Sequence, residues 1–364
     1  MLKKISLLIL LLSANILLAT KPQSHSEDTH AKTDVKEEAY DPIPVIMHHI
    51  SDAHEWHFWG EGDNSVTLPL PVILWTENGL VTFMSSKFHH DDEGKHLVTV
   101  NDQNFVRVHG KIYEANATPD SHGSYVSHDA EGHVTAVKPF DISITKNVAG
   151  MLFGMIVLLI LFIRMAKKYK TNGGIPRKFA GWMEPIIILV RDDIAKENIG
   201  EKKFRKFVPF LLTIFFFIWI LNLMGLVPGF ANVTGNIAFT MVLAVFTLVM
   251  VNINGNKNYW KHIFWPPVPH WLKPMMIPVE LIGVLTKPFA LMIRLFANMA
   301  AGHIVILSLV SLIFIAGSVA VAPGAIALVL FISVLELLVA VLQAYIFTLL
   351  TALFIGMAVD ESHH

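Results

Sequence analysis

No cysteine occurs among the 364 residues, which excludes disulfide cross-links, thiol nucleophiles and thiolate-held metals or clusters. No stretch reads G-x4-G-K-[ST], so a phosphate-cradling loop of that kind is missing and any ATP chemistry must reside on another chain. A surplus of either charge is also missing. With 28 Lys and Arg against 29 Asp and Glu, the net charge of -1 gives no electrostatic argument for a partner, and nucleic acid is not expected as one. The longest apolar runs are nearly empty of ionisable groups: Pro288 to Ile315 holds Arg294 and His303, and Ile326 to Ala358 holds one carboxylate, Glu336. What is present is apolar. A hydrophobic share of 53% is too high for an ordinary soluble domain and is that of a polytopic membrane protein.

Met1-Leu-Lys3-Lys4 followed by Ile5 to Leu18 has the basic start and apolar core of a secretory signal, so residues 1-19 are expected to be a cleaved leader, with a retained anchor as the alternative. Residues 20-145 then carry 13 of the 18 histidines, many acids and few long apolar runs, which marks a histidine-rich extramembrane region. Its first part, 21-38, has a disordered composition, whereas Thr67 to Trp75, Leu97 to Val100 and Phe105 to Val108 alternate enough for short strands. His54-x2-His57 and His89-His90-Asp91-Asp92 supply metal-ligand types, so His54, His57, His89 and His90 are candidates for a transition metal, against the plainer reading of a solvated histidine-rich surface.

Residues 146-364 read as a membrane domain with spans over 148-165, 208-226, 237-253, 288-315 and 326-358. Twelve Lys and Arg between Arg164 and Lys206 put that connection in the cytoplasm by the positive-inside rule, and residues 20-145 outside. Lys257, Lys261 and Lys273 with Trp260, Trp265 and Trp271 mark the same interface again, and the C-terminus ends inside. Met183 to Arg191 reads as an interfacial helix leading to Asp192-Asp193. Pro274 to Thr286 reads as a second short interfacial or re-entrant helix, with Glu280 and Lys287 on one face. The fold class is therefore all-α and polytopic: five crossings, an interfacial helix, and a last pair too long to stand upright.

The centre of the chain is Arg294. A guanidinium keeps its proton at any cellular pH, and a charge at mid-bilayer costs a few kcal/mol or more unless it meets a partner or a wet path. The turn Gly317 to Gly324 makes the last two spans antiparallel. Arg294 and Gln343 are then centred on position 318.5, and His303 and Glu336 on 319.5, so polar groups pair in depth. Arg294 and His303, nine residues apart, are separated by about 13 Å of rise and about half a turn. The hairpin thus offers an outward stripe of Arg294, Asn298 and Ala301 and a separate polar pocket of His303 and Glu336 nearer the turn. Ala297, Ala301 and Gly302 are small enough to admit another helix.

Arg294-Leu-Phe-Ala-Asn298-Met-Ala-Ala-Gly302 and Glu336-x6-Gln343 resemble the two signature helices of subunit a of the F-type ATP synthase, and Asn222-Leu-Met-Gly-Leu-Val-Pro-Gly229 resembles a third signature of that family. The acid and imidazole are exchanged between the last two helices relative to the best-known bacterial members, which keeps one of each at the same depth. The resemblance implies a stator subunit whose Arg294 faces the carboxylates of a rotating c-ring, with Gln343 and Asn298 beside it. It implies that His303 and Glu336 form the half-channel on the side away from the catalytic head. Asn222 either lines that path or bonds helix to helix. Further implications are a bacterial inner-membrane location, partnership with c-ring, b-type stalk and other synthase subunits, protons as the conducted ion, no cofactor and no catalysis by this chain alone. Two alternatives remain from the residues: a secondary transporter of an anionic solute, for which no internal repeat is found, and a structural membrane subunit with a metal-sensing outer domain.

Overall fold

The computed structural model describes residues 51-59, 66-116, 118-120, 123-127, 134-171, 179-227, 229-316 and 321-360. The leader, the segment 21-38 and the turn at 317-320 lie outside the described residues. Eight short strands come first: β1 (Glu55–Trp59), β2 (Val66–Pro69), β3 (Pro71–Thr76), β4 (Gly79–Met84), β5 (Val98–Val100), β6 (Gln103–Val108), β7 (Lys111–Glu114) and β8 (Phe140–Asp141). They form three small antiparallel sheets, ordered β1-β2, β4-β3-β8 and β5-β6-β7. The alternation that predicted strands decides which side is buried. Val72 and Leu74 of β3, Val81 and Phe83 of β4, and Phe105 and Ile112 of the third sheet close one core with Phe88 and Val98. Each such side chain contributes about 1.5–3 kcal/mol when fully buried.

The charged residues of this domain tie strands together. Arg107 on β6 is 5% exposed; its guanidinium reaches Glu55 Oε1 on β1 at 2.8 Å and Asp92 at 3.2 Å, and it lies over the Phe88 ring. His90 takes the other Glu55 oxygen at 2.8 Å. His54, also buried, pairs through Nε2 with Asp141 Oδ2 at 2.7 Å. Burial pushes the Asp141 carboxyl up, but the bonds from His54 and from the Ser143 hydroxyl and N–H outweigh it and hold the group at about 2. A depressed carboxyl stabilises the fold above its unfolded value near 3.9, and that contribution is lost as pH falls through about 2. Asp141→Asn is expected to remove about 1 kcal/mol at neutral pH, allowing for partial solvent screening, and nothing below pH 2. Protease resistance of the domain compared at pH 7 and at the acid end measures this, and equal losses at both would contradict it.

Helices follow: α1 (Lys146–Thr171), α2 (Phe179–Ile188) running on through a π-turn segment (Leu189–Lys196) to Ile199, α3 (Phe204–Gly225), α4 (Ile237–Ile253), α5 (Lys257–Phe264), α6 (Lys273–Ala316) and α7 (Ala322–Val359). Four of these are long and apolar enough to cross a membrane, or five if α4 and α5, which meet at 107°, form one broken span. The spans expected at 208-226 and 237-253 thus coincide with α3 and α4, and Met183 to Arg191 falls on α2 and its continuation. The core is centred on α3, whose Leu211, Ile214, Phe215 and Ile218 pack with Leu291 and Leu295 of α6, Ala344, Phe347 and Ile355 of α7, and Val190 and Ile194 of the α2 continuation.

One boundary differs from the sequence expectation. Pro274 to Thr286 is not a separate short helix but the first part of α6, which passes through Pro278 and Pro288 without ending. A proline interrupts one hydrogen bond at about 3 kcal/mol. Ending the helix there would instead leave up to eight backbone groups unpaired in apolar surroundings, at several kcal/mol each. Continuation wins. The bent interfacial element is α5 instead, where Glu280 meets His262 at 3.9 Å and Lys273 lies over the Trp265 ring at 3.7 Å. Glu280 and Lys287 form no ion pair with each other among the described residues; Lys287 packs over Phe354. At 44 and 38 residues, α6 and α7 are about 66 and 57 Å long, roughly twice a hydrocarbon core, so the hairpin must incline steeply.

The two ends of the bundle are held differently. At one end Lys146 N–H donates to Ala53 at 2.8 Å and Asn147 N–H to Asp52 at 3.1 Å, fastening the β domain to the first turn of α1. At the other, the terminal carbonyls of α7 accept from Asn256 and Lys203: Ala358 from the Asn256 N–H at 2.8 Å, Val359 from Lys203 Nζ at 2.9 Å. Lys206 reaches Asn254 at 2.7 Å. The starts of α3 and α5 and the ends of α4 and α7 therefore share one end, opposite the β domain.

Candidate functional site

Every expected site residue of the hairpin lies on α6 or α7, and burial separates them into two groups. Leu291, Leu295 and Met299 turn into the core, so residues half a turn away are left outside. Arg294, Ala297, Asn298 and Ala301 are all exposed and form one stripe along α6. Arg294 has neither an ion pair nor a hydrogen bond among the described residues. The helix therefore presents a permanent cation outward with its counter-charge unsupplied by this chain's described part.

The second group faces the hairpin interior. Gly302 of α6 stands opposite Glu336 of α7: a Cβ built on Gly302 would overlap the carboxylate and sit 2.8 Å from Glu336 Cδ. This contact fixes the register within one residue of that inferred from the turn, and brings His303, the next residue, to the same level. It also corrects one expectation. Gly302 was expected to admit a further helix beside Arg294, whereas its missing side chain is the seat of Glu336. Glu336 and His303 are half-buried, and Glu336 Oε2 has no hydrogen-bond partner among the described residues.

Gln343 is 3% exposed, so it is level with Arg294 by register but buried in the bundle and not on the open stripe. Asn222, fully buried near the end of α3, donates from Nδ2 to the Ala340 carbonyl at 3.1 Å, midway between Glu336 and Gln343 along α7. This is the helix-to-helix bond expected as one of its two roles. Its Oδ1 is left without a partner among the described residues, which leaves the other role open to water. Glu336, Asn222 and Gln343 thus form a polar file along α7 that Arg294 and Asn298 do not join.

The histidine candidates disperse. His54 is engaged with Asp141 and His90 with Glu55, while His89 packs on His96 with ring centroids 4.6 Å apart. His57 lies on β1. No three His, Asp or Glu side chains converge as a metal set among the described residues.

Sequence reasoning missed the contacts between the β domain and the helices. Trp56 of β1 donates its indole N–H to the Gly229 carbonyl in the α3–α4 connection at 2.7 Å. Nothing in the local pattern around Trp56 separates it from the other aromatics of the strand.

The fold and site define a class: a protein with helices long and apolar enough for several membrane crossings, an exposed arginine on the last hairpin that is unpaired among the described residues, a separate acid-bearing file, and a small β domain. The sequence profile described as ATP synthase A chain matches residues 149–356, and a domain of unknown function, DUF8433, matches 45–142. The ATP synthase subunit a of Chloroherpeton thalassium is 48% identical over 233 residues, covering 62% of this chain and 69% of the relative. That of Myxococcus xanthus is 45% identical over 230 residues, 62% and 75% respectively. The chain belongs to the ATP synthase A chain family, the non-catalytic, proton-conducting stator of the membrane sector. Membership sets aside the transporter and purely structural alternatives.

Proposed function

We propose that the exposed stripe of α6 is the surface along which a ring of rotor subunits turns, with Arg294 meeting each rotor carboxylate in succession. The supporting observation is that Arg294 is exposed and unpaired among the described residues, at a depth where an isolated charge costs a few kcal/mol. A passing carboxylate supplies the missing counter-charge and in turn loses its proton more easily, because direct attraction favours the ionised form. The guanidinium itself neither accepts nor releases a proton, so it blocks hopping between the two sides. Asn298 flanks it on the stripe, and Gln343 lies at its level within the bundle.

His303, Glu336 and Asn222 form the half-channel on the side of the β domain. Glu336 relays protons to the rotor, and Asn222 holds water above it through its spare carbonyl oxygen. The concentration of Lys and Arg at the far end of the bundle supports a cytoplasmic location there and an extracytoplasmic β domain in a bacterial inner membrane. The π-turn segment with its exposed Arg191–Asp192 pair is the contact offered to a b-type stalk. Because the chain has no cysteine, Ala297→Cys or Ala301→Cys adds one thiol to this subunit. Either is expected to cross-link to a rotor subunit bearing a thiol next to its membrane carboxylate. No cross-link at either position, in assembled complexes whose rotor thiols still react with a soluble reagent, would sink the proposal.

A further inference from the structure

The domain of unknown function is attached to the helices by more than its covalent link. Besides the Trp56 indole bond to Gly229, the Trp56 ring meets Phe230 edge-on at 5.6 Å between centroids, and Phe58 adds a second edge contact at 6.5 Å. Phe153 of α1 reaches the same Phe230 ring at 6.1 Å. Gly229 adopts φ +85°, and a Cβ there would come 3.1 Å from the Phe58 carbonyl oxygen, so strand and loop meet backbone to backbone. Three aromatic rings and one buried-side hydrogen bond thus grip the tip of the α3–α4 connection.

That connection leads directly into the wet side of the bundle. Three residues on, Asn232 caps the short helical turn Val233–Gly235 by accepting the Gly235 N–H at 3.1 Å, and the turn packs against α3, α4 and α6. Thr234 within it is fully buried, and its hydroxyl has no hydrogen-bond partner among the described residues. Asn232 Nδ2 and Asn222 Oδ1 are likewise without a partner among the described residues. Buried polar atoms are rarely left unpaired, and three of them at the end of α3 and in the connection that follows mark a place built to hold water.

Resting on the half-channel reading above, we propose that the β domain is a clamp that fixes the α3–α4 connection over the outer proton path. Trp56 is its positioning residue, and Thr234, with Asn222, holds the water of that path. A domain of this kind acts on conduction by position alone, without touching the proton. Loosening it lets the connection swing away from α6, which opens the path to larger solutes and breaks the water file.

The test uses the whole assembled synthase in membranes. Thr234→Cys places one thiol in this subunit, and its modification is read by mass on this chain after exposure from the domain's side to silver ion or to a membrane-impermeant maleimide. With Trp56 intact, silver ion is expected to react readily and the maleimide slowly. Trp56→Ala is expected to raise the maleimide rate about tenfold and to lower ATP-driven proton pumping about three- to tenfold. Trp56→Phe, which keeps an aromatic ring but loses the N–H and part of the indole's area, falls between, and Gly229→Ala repeats the Trp56→Ala result. Should Trp56→Ala prevent assembly, the last two variants decide. Unchanged maleimide rates in both would overturn the clamp, and a Thr234→Cys thiol that silver never reaches would overturn the water path. Undiminished pumping by Arg294→Ala would refute the proton-channel reading and leave the labelling result standing.

Discussion

Arg294→Ala is expected to abolish ATP-driven acidification of inverted membranes, with a fall of about a hundredfold or more. The magnitude follows from the cost of a mid-membrane charge, about 2.5–3.5 kcal/mol, which is the attraction available to an arriving rotor carboxylate and is removed whole with the side chain. Arg294→Lys keeps the charge but loses the planar fork and the permanence of protonation, and is expected to retain less than about a tenth of the coupled rate. Because Arg294 is exposed and outside the core, neither variant should alter the bundle, and the assembled complex should contain the subunit in normal amount. Passive proton leak separates two roles. If the arginine is also the barrier between half-channels, Arg294→Ala membranes from which the catalytic head has been stripped conduct protons freely. A variant that still pumps, or one that is both uncoupled and tight, would contradict the assignment.

The second large effect is expected from one methyl group. Gly302→Ala places a Cβ where the Glu336 carboxylate sits, and overlap of this kind costs about 1–3 kcal/mol unless a neighbour moves. The carboxylate is the group free to move, so the expected outcome is a displaced acid and proton flux reduced about tenfold, with only modest loss of stability. Shortening the acid should relieve the overlap. Gly302→Ala combined with Glu336→Asp is therefore expected to conduct better than Gly302→Ala alone, although Glu336→Asp alone conducts worse than the parent. Glu336→Gln, which cannot release a proton, sets the floor. Flux measured in vesicles containing the rotor decides between the readings. Simple additivity of the two losses, without recovery, would show that Gly302 and Glu336 do not act through their contact.

Much of this was legible in residue order. The antiparallel hairpin followed from the glycines and proline of its turn, and its register from the matching depth of two polar pairs. The Gly302–Glu336 contact bears out that register within one residue. The outward stripe followed from helical periodicity. What the sequence concealed were interactions between elements far apart along the chain. The seat of Glu336 on Gly302 is invisible to a reading in which a glycine near Arg294 simply permits close approach. The passage of α6 through Pro288 runs against the local rule for proline and is decided by the apolar surroundings. The bond from Asn222 of α3 to the Ala340 carbonyl of α7 joins residues 118 apart. The union of Trp56 with Gly229 spans 173 residues and carries no periodic signal.

The unbroken run of α6 from Arg294 to His303 has a consequence for insulation. Arg294 and His303 belong to a single rod, so the spacing between the barrier and the outer pocket is set by helical pitch and not by how well side chains fit. Packing can slacken with temperature or lipid without bringing the two closer together. A residue inserted between them, by contrast, would lengthen the rod by only about 1.5 Å yet turn one group about 100° around it relative to the other, so alignment in azimuth, more than distance, is the tolerance this motor must keep.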